Sequence, residues 1–381
     1  MTTRSGAAQI RVPTDWAALA RELAVQLSAG AAEHDSTDRF VSDNLAMLKA
    51  RGLYAAGVPE QLGGGGASHA ELCDMLRILA AGCGSTALTL AMHTHLVATA
   101  AWRWRRDPAP VEPLLRRVAS EGLALVTTGG ADWLQGTCRA EPTDGGYLVS
   151  GRKIFASGVP FGDLMMTCAV LDDAERGPTV LHFALPLGAA GVAIQDNWRT
   201  LGMRATGSHD VVLENVFVPG TAISAVRPAG KWHPLFHTIA MIALPLIYAV
   251  YLGVAEAARD RAIAIARRRR TDEGLVGSVG EMENELAAAR VAHADMVATA
   301  ASSEPGPATT NRIAIGRTLT GRAAIRTVER ALEVAGGAAM FRSAGLERLF
   351  RDVQGARYHP MQEKSQLRYS GRLALGLNID G

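Results

Sequence analysis

The hydrophobic pattern of the sequence changes twice, and these changes constrain the fold more than any other feature. In the first third, apolar residues recur every three or four positions, as between Trp16 and Leu27, which predicts amphipathic helices. Between residues 122 and 229 the pattern becomes one of short β-branched runs bounded by Gly, Asp or Pro, which predicts strands. After residue 230 the helical spacing returns, for example from Ile325 to Ala335. The sequence therefore predicts helices, then strands, then helices.

This order predicts an α+β protein that is mainly α. A chain of 381 residues exceeds the size at which a single core stops growing, so more than one folding unit is expected. We expect an N-terminal helical domain over residues 1–121, a middle β-barrel or β-sandwich domain over 122–229, and a C-terminal four-helix bundle over 230–381. Strands and helices do not alternate, which argues against a doubly wound parallel sheet.

Composition narrows the classes of function. The formal net charge of +2 gives no strongly basic surface of the kind that binds nucleic acid. The four cysteines have no metal-ligand spacing and are too sparse to stabilise a chain of this length by disulfides. We therefore expect no metal site and a reducing, cytoplasmic location. The first twelve residues are polar and lack the apolar stretch of an export signal.

One long uncharged segment, residues 238–254, approaches the length of a membrane-spanning helix. Pro245 interrupts this segment, two tyrosines lie within it, and it continues into a charged turn at residues 256–261. These three features favour a buried core helix over a membrane anchor, and no membrane association is expected.

Several short segments, taken in order, resemble one known family. They are Gly52-Leu53, Val58-Pro59 and Gly63-Gly64, then Asp132, Ala140-Glu141, Gly146-Tyr147, Gly151, Lys153 and Ser157-Gly158, then Leu201-Gly202-Met203-Arg204, Ser208 and Val218-Pro219, and finally Gly336-Gly337, Glu347-Arg348 and Arg351-Asp352. Each segment alone is weak evidence, but the ordered set resembles the acyl-CoA dehydrogenase superfamily across nearly the whole chain. The resemblance implies a flavin-dependent oxidoreductase with the three-part fold expected above.

The resemblance also implies a flavin site where the three domains meet. The residues expected to bind the flavin are Thr127, Thr128, Gly130, Phe155, Ser157, Gly158, Arg204, Gly336 and Gly337. The flavin N5 and carbonyl edge gain electron density on reduction, so hydroxyl or backbone N–H donors are suited to lie beside them. Ser157 and Gly158, at the end of a strand, offer such a donor and a close backbone approach. A strand end without a ligand is the alternative for these two residues.

The sequence departs from the family at the catalytic base. Dehydrogenation of an acyl thioester needs a carboxylate that removes the α-proton, and in the family this group is usually a Glu. With Arg351-Asp352 as the anchor, the usual Glu position falls on Pro360, and the other position that family members use falls near Ala243. Neither side chain is a base. Glu363 lies three residues after Pro360 and is retained as a spare candidate.

Two histidines are the remaining catalytic candidates. His359 follows Arg351-Asp352 at an interval that resembles the flavin monooxygenases of this fold, and imidazole exchanges protons near neutral pH. His93 lies in an apolar helix that faces the substrate cavity by resemblance. A structural histidine, whose nitrogens bond neighbouring groups, is the alternative for each. We expect His359 to be the acid or base of an oxygen-using reaction.

The cofactor and the partners are expected from the same resemblance. Family dehydrogenases bind the FAD pyrophosphate with an Arg and a Phe-Gly pair across a subunit contact, and the matching stretch, residues 268–274, lacks the Phe-Gly pair. The basic run at residues 267–270 is a candidate for that phosphate, with a solvated helix end as the alternative. FAD, FMN and a flavin supplied in reduced form by a partner reductase therefore all stay open, in a homotetramer or a homodimer.

Three functions are compatible with these features. The preferred one is a reduced-flavin, O2-using monooxygenase that acts on a small organic or carrier-bound substrate. The first alternative is FAD-dependent α,β-dehydrogenation of an acyl-CoA or acyl-carrier-protein thioester by a non-standard base, with electrons passed to a transfer partner. The second is a degenerate flavin-binding or assembly protein without turnover.

Overall fold

The computed structural model describes residues 14–129, 132–267 and 272–380. Within these ranges the N-terminal part contains α1 (Trp16–Ser36), α2 (Ser42–Ala50), α3 (His69–Gly82), α4 (Gly84–Trp104) and α5 (Glu112–Glu121). Side chains cap the first turns of α1 and α3, through Asp15 in one case and a reciprocal Ser68 and Glu71 capping box in the other. Helix α4 is buried along most of its length, so it runs through the interior of the protein.

The middle part is an eight-stranded mixed sheet. Its strands are β1 (Leu125–Thr127), β2 (Arg139–Thr143), β3 (Gly146–Lys153), β4 (Leu164–Asp173), β5 (Gly177–Pro186), β6 (Val192–Ile194), β7 (Val211–Pro219) and β8 (Ile223–Pro228). The order across the sheet is β6-β7-β3-β2-β4-β5-β8, and β1 pairs with β4 in parallel. The β2–β3 hairpin turns at Gly145, whose φ of 74° lies in the left-handed region that favours glycine.

The C-terminal part is helical again. It contains α6 (Pro234–Ala266), α7 (Glu273–Ser302), α8 (Pro307–Ala335), α9 (Leu346–Val353) and α10 (Glu363–Ala374). Helices α6, α7 and α8 pack against one another, and α9 and α10 pack against α8. Helix α6 also crosses α3 at close range, because a Cβ atom on Gly253 would lie 2.1 Å from the carbonyl oxygen of Arg77. A larger residue at position 253 would therefore force the two helices apart.

Helix α6 contains the long uncharged segment of the sequence. In the part of the chain that the structure describes, it is the one helix long and apolar enough to cross a membrane, with a mean hydropathy of 2.1 over its most apolar window. The protein itself buries 94% of that window. This burial is what a core helix shows, and length and composition alone are weak evidence for a membrane span.

The predicted fold is confirmed: the protein is mainly helical, with a middle sheet between N-terminal and C-terminal helices. The sheet has its own apolar core, whereas helices from both ends of the chain share a second, larger core. The three domain boundaries stay a prediction. Helix α4 packs against α6 and also against β1. Side chains that project from α4 therefore reach both the sheet and the C-terminal helices.

Candidate functional site

Three segments that the sequence assigns to flavin binding lie together at one end of the sheet. The N–H of Gly129, just after β1, donates to the carbonyl of Ile154 at 3.0 Å. The N–H of Gly158 donates to the carbonyl of Thr206 at 2.9 Å. These two bonds join segments 127–129, 154–158 and 204–208, which are far apart in the sequence.

Buried hydroxyl groups form a chain that starts at Ser157. Its Oγ lies 2.7 Å from Ser208 Oγ, and Ser208 Oγ lies 2.6 Å from Thr206 Oγ1. The Thr206 hydroxyl donates to the carbonyl of Met203 at 2.9 Å, because a carbonyl can only accept. Ser208 must therefore donate to Thr206, and Ser157 to Ser208. The backbone N–H of Ser157 is also engaged, with the Phe155 carbonyl at 3.0 Å. Ser157 thus has only acceptor lone pairs left for a ligand.

The backbone beside Ser157 adopts left-handed conformations. Phe155 has a φ of 55° and Gly158 a φ of 78°. A Cβ atom on Gly158 would lie 2.6 Å from Cγ2 of Thr89, so α4 closes directly against the backbone here. Phe155 is 49% exposed and meets Trp198 edge-on, with ring centroids 5.7 Å apart. A strained residue that holds an apolar ring in the open is typical of a ligand site, and the ring offers a flat contact surface.

A buried ion pair holds the loop that follows β1. The Lys153 ammonium, with no exposed surface, donates to Asp132 at 2.8 Å and to the carbonyls of Thr137 at 3.0 Å and Cys168 at 2.5 Å. Asp132 also accepts from the Thr128 hydroxyl. The hydroxyl of Thr127 makes no hydrogen bond within the described ranges. Of the two predicted threonines, Thr127 is thus free to contact a ligand and Thr128 supports the loop.

The remaining predicted flavin residues lie in different surroundings. The Arg204 guanidinium pairs with Asp38 at 2.5 Å and ties the 204–208 segment to the connection after α1. Gly336 ends α8, and neither it nor Gly337 forms a hydrogen bond to the Ser157 segment in the part of the chain described. Gly130 and residues 268–271 lie outside the described residues. The roles of all these residues in flavin binding stay predictions.

The two histidines of α4 differ in their hydrogen bonds. His93 Nδ1 accepts the Leu125 N–H at 3.0 Å, and its Nε2 donates to the Tyr54 carbonyl at 2.8 Å. Both nitrogens of His93 are occupied, so it holds β1 against the N-terminal helices. His95 Nδ1 donates to the Ala91 carbonyl at 3.1 Å, and its Nε2 has no hydrogen-bond partner among the described residues. Burial lowers the pKa of each histidine to about 4, so both are neutral near pH 7.

His359 lies in the loop between α9 and α10. Its Nε2 is 2.7 Å from the hydroxyl of Tyr251, a fully buried residue of α6. The guanidinium of Arg317, from α8, donates to the carbonyls of Ala356 at 3.1 Å and His359 at 2.8 Å and so fixes the loop. Burial, followed by the Arg317 charge, lowers the pKa of His359 to about 3. The imidazole is therefore neutral in the folded protein.

The two carboxylates nearest to this loop in the sequence, those of Asp352 and Glu363, already have partners. Glu363 begins α10 and forms an ion pair with Arg322 on the exposed side of α8, where the arginine lowers the pKa of the carboxyl. Asp352 is buried, and its Oδ1 accepts the Met203 N–H at 2.6 Å. At the two positions where the resemblance predicts the family Glu, at Pro360 and near Ala243, the sequence has no carboxylate. In residues 14–129, 132–267 and 272–380, no group of three or more His, Cys, Asp or Glu side chains could hold a metal ion.

Comparison with known proteins covers nearly the whole chain. Three family profiles match in order: the acyl-CoA dehydrogenase N-terminal domain at residues 15–124, the middle domain at 127–216 and the C-terminal domain at 246–364. The chain is 30% identical to the amino sugar nitrososynthase RubN8 of Streptomyces rubradiris, over 93% of this chain and 88% of that protein. The protein belongs to the acyl-CoA dehydrogenase family, as its sequence segments predict.

Other relatives differ in the activity for which they are named. The provisionally named acyl-CoA dehydrogenase YdbM of Bacillus subtilis (strain 168) is 28% identical over 91% of this chain and 92% of its own length. A dibenzothiophene monooxygenase of Mycolicibacterium goodii is 27% identical over 90% and 89%. The solved structure of KijD3 with FMN and dTDP-3-amino-2,3,6-trideoxy-4-keto-3-methyl-D-glucose superimposes with a TM-score of 0.87 at 26% identity, covering 98% of this chain and 97% of that one.

The sequence did not reveal several residues that shape the site. Tyr251 and Arg317 lie inside helical patterns, where the spacing predicts burial but not a polar contact with a distant loop. Thr206 belongs to the same chain of hydroxyl groups as Ser157, and no local sequence pattern predicts this chain. The accessible nitrogen of His95 depends on its bond to Ala91, one turn earlier. The only available signal was the histidine itself, in an otherwise apolar helix.

Proposed function

We propose that this protein is a flavin-dependent monooxygenase that receives FMN or FAD in reduced form and acts on a small organic or carrier-bound substrate. The observation that carries the proposal is the loop at His359. A neutral imidazole, bonded to Tyr251, lies next to Pro360, the position at which the resemblance expects the carboxylate base of a dehydrogenase. The amino sugar nitrososynthase, dibenzothiophene monooxygenase and FMN-bound relatives support the same reaction class.

The residues at the end of the sheet fit a flavin ring. Phe155 offers a flat apolar face, and the Thr127 hydroxyl has no hydrogen-bond partner within the described ranges. Ser157 can only accept a hydrogen bond, and a reduced flavin carries one N–H more than an oxidised flavin at the N5 position that the resemblance places beside Ser157. This polarity favours the reduced ring. A bound reduced flavin would supply electrons for the reaction with O2.

The protein's own groups would position the reactants and stabilise charge. His359 is held by Tyr251 and Arg317 next to Pro360, where the resemblance expects the family base, so it is the proposed acid or base. The positive charge of Arg317 favours negative charge that develops nearby. We propose that His93 acts by fixing β1, since both of its nitrogens are engaged, and that Glu363 is not needed. A partner flavin reductase, a homotetramer or homodimer and a cytoplasmic location belong to the same proposal.

Stopped-flow absorbance tests the proposal directly. Under anaerobic conditions the protein is first mixed with reduced FMN or, in a parallel experiment, with reduced FAD. It is then mixed with oxygenated buffer. A monooxygenase should show a long-lived species whose spectrum matches neither reduced nor oxidised flavin. Direct reoxidation at the rate of free flavin would overturn the proposal. Bleaching of bound oxidised flavin by an acyl-CoA under anaerobic conditions would instead establish a dehydrogenase.

A further inference from the structure

The hydroxyl chain at Ser157 ends on one backbone carbonyl, that of Met203. The Thr206 hydroxyl donates to this oxygen at 2.9 Å, and the Thr206 N–H and the Trp198 indole donate to the same oxygen at 3.1 and 3.2 Å. A carbonyl carries no proton, so it can only accept. The far end of the chain is therefore a fixed acceptor, whatever is bound beside Ser157.

Helix α9 holds this carbonyl in place. The Met203 N–H donates to a carboxyl oxygen of the buried Asp352 at 2.6 Å. Met203 has a φ of 54°, in the left-handed region that a residue other than glycine keeps only when its surroundings hold it there. A Cβ atom on Gly202 would lie 2.1 Å from the Arg351 carbonyl oxygen, so the loop and α9 are in direct contact. The carbonyl that ends the chain is thus positioned by a helix, independently of any ligand.

This end point sets the direction of every proton in the chain. Ser157, Ser208 and Thr206 are all buried, so solvent offers their hydroxyls few other partners. In the reverse direction Thr206 would donate to Ser208, and its oxygen would lie 2.9 Å from the Met203 carbonyl oxygen with no proton between them. Two buried acceptors in contact carry the cost of an unmade hydrogen bond. The protons therefore run from Ser157 through Ser208 to Thr206, and the Ser157 proton is directed inward.

We propose that Ser208 and Thr206 are positioning residues that make the flavin site selective for the reduced ring. Together they hold the Ser157 proton, so that only lone pairs face the N5 position that the resemblance places beside Ser157. Oxidised N5 is an acceptor and would meet a second acceptor, whereas reduced N5 carries a hydrogen that Ser157 can accept. The inference rests on the proposed function for the presence of a flavin. It adds the residues that select the redox state, which lets oxidised flavin leave and reduced flavin replace it.

Anaerobic calorimetric titrations of the whole protein with oxidised FMN and with reduced FMN test the selection. The measured quantity is the dissociation constant of oxidised FMN divided by that of reduced FMN, which should exceed one in the wild type. Ser208→Ala removes the acceptor of the Ser157 proton, and Thr206→Val removes the hydroxyl that orients Ser208. Each should lower this ratio by about 2- to 10-fold, the contribution of one hydrogen bond. A wild-type ratio at or below one, or an unchanged ratio in either variant, would overturn the proposal.

Two further variants separate the orientation of the proton from general packing. Thr206→Ser keeps the hydroxyl and loses only a methyl group, so it should keep the wild-type ratio. Thr89→Val is the matched control: Thr89 is buried against Gly158, but its hydroxyl donates to the carbonyls of Ser85 at 2.9 Å and Thr206 at 3.5 Å and not to the chain. This variant should change the affinities for both forms of FMN together. A ratio that falls as far in Thr89→Val or Thr206→Ser as in Thr206→Val would contradict the role given to the hydroxyl chain.

Neutron diffraction from crystals of the whole protein in D2O, with no flavin added, locates the protons directly. We expect the Ser157 deuteron on the line to Ser208 Oγ and the Thr206 deuteron on the line to the Met203 carbonyl oxygen. A Ser157 deuteron directed away from Ser208 would overturn the proposal and leave the oxygen reaction standing. Reoxidation at the rate of free flavin in the stopped-flow test, with the selectivity for reduced FMN intact, would instead refute the oxygen reaction alone.

Discussion

Replacement of Lys153 by Met should destabilise the protein strongly. Methionine keeps an unbranched apolar stem but removes an ammonium that is completely buried and bonded to Asp132, Thr137 and Cys168. The Asp132 carboxylate, whose side chain is only 11% exposed, would then lose its counter-charge. Removal of one partner of a buried ion pair costs about 3 to 5 kcal/mol, because the other charge stays buried. We expect a loss of that size in the free energy of unfolding.

Arg312→Met is the matched control. Arg312 also forms an ion pair, with Asp295, but the two side chains are 61% and 41% exposed. An exposed pair contributes between about 0 and 1 kcal/mol, so this variant should unfold almost as the wild type does. Each substitution removes one positive charge from the wild-type protein, so the burial of the ion pair is the property that distinguishes them.

Urea unfolding, followed in parallel by far-ultraviolet circular dichroism and tryptophan fluorescence, measures both variants. Coincident transitions of the two signals justify the comparison of unfolding free energies. The double variant Asp132→Asn/Lys153→Met has no unpaired buried charge. Its loss of unfolding free energy should therefore be smaller than the sum of the losses in the two single variants, by more than about 1 kcal/mol. A Lys153→Met loss below about 1 kcal/mol, or one equal to that of Arg312→Met, would refute the claim that this ion pair holds the loop.

Three further outcomes are expected. His359→Ala should lower turnover by about two to four orders of magnitude with an unchanged circular dichroism spectrum, and unchanged turnover would remove His359 from the mechanism. Gly158→Ala should destabilise the protein by about 1 to 3 kcal/mol and weaken FMN binding, because φ is 78° at this position and Thr89 leaves no room for a Cβ atom. Gly280→Ala, at an open position of α7, is the control and should be neutral or stabilising. Equal effects of the two substitutions in urea unfolding would refute this prediction. Acid should destabilise the protein between about pH 6 and pH 4, and an unfolding free energy that is flat over this range would contradict the prediction.

The sign of the acid effect follows from groups whose pKa differs between the folded and unfolded states. Burial lowers the pKa of His93, His95, His182 and His359 from 6.5 to about 4, 4, 4 and 3, so the unfolded chain binds more protons below pH 6.5 and the folded state loses stability. Burial raises the pKa of Asp352 from 3.8 to about 6, which acts in the opposite direction over the same range. Because these four histidines outnumber the one carboxyl, the net effect of acid is to destabilise the folded protein.

Much of the fold was predictable because it depends on local pattern. Strands β3, β4, β5 and β7 coincide with β-branched runs of the sequence, and α3 and α4 separate at Cys83 between two glycines. The sequence did not single out the other four strands, and two of these, β1 and β6, are only three residues long. Runs this short carry no periodic signal, and it is their pairing with β4 and β7 that makes them strands.

The candidate site was predictable in part, and the limit is physical. Segments 127–129, 154–158 and 204–208, which the resemblance assigns to one site, are joined by backbone hydrogen bonds, while their role in flavin binding stays a prediction. Which histidine nitrogen is free depends on carbonyls and hydroxyls brought in by tertiary contacts, such as Tyr54 for His93 and Tyr251 for His359. Sequence analysis therefore found the histidines but could not distinguish a satisfied ring from an available one.

The charge pattern around His359 connects fold and chemistry. A carboxylate base at position 360 would stand close to the loop carbonyls that Arg317 binds, and the guanidinium could neutralise it. Because Pro360 and the neutral His359 carry no negative charge, the positive charge of Arg317 is not neutralised by this loop. That charge favours negative charge on a reduced flavin or on reacting oxygen, whereas removal of an α-proton needs an anion that this loop does not supply. The same exchange of residues that removes the dehydrogenase base therefore produces surroundings suited to oxygen chemistry.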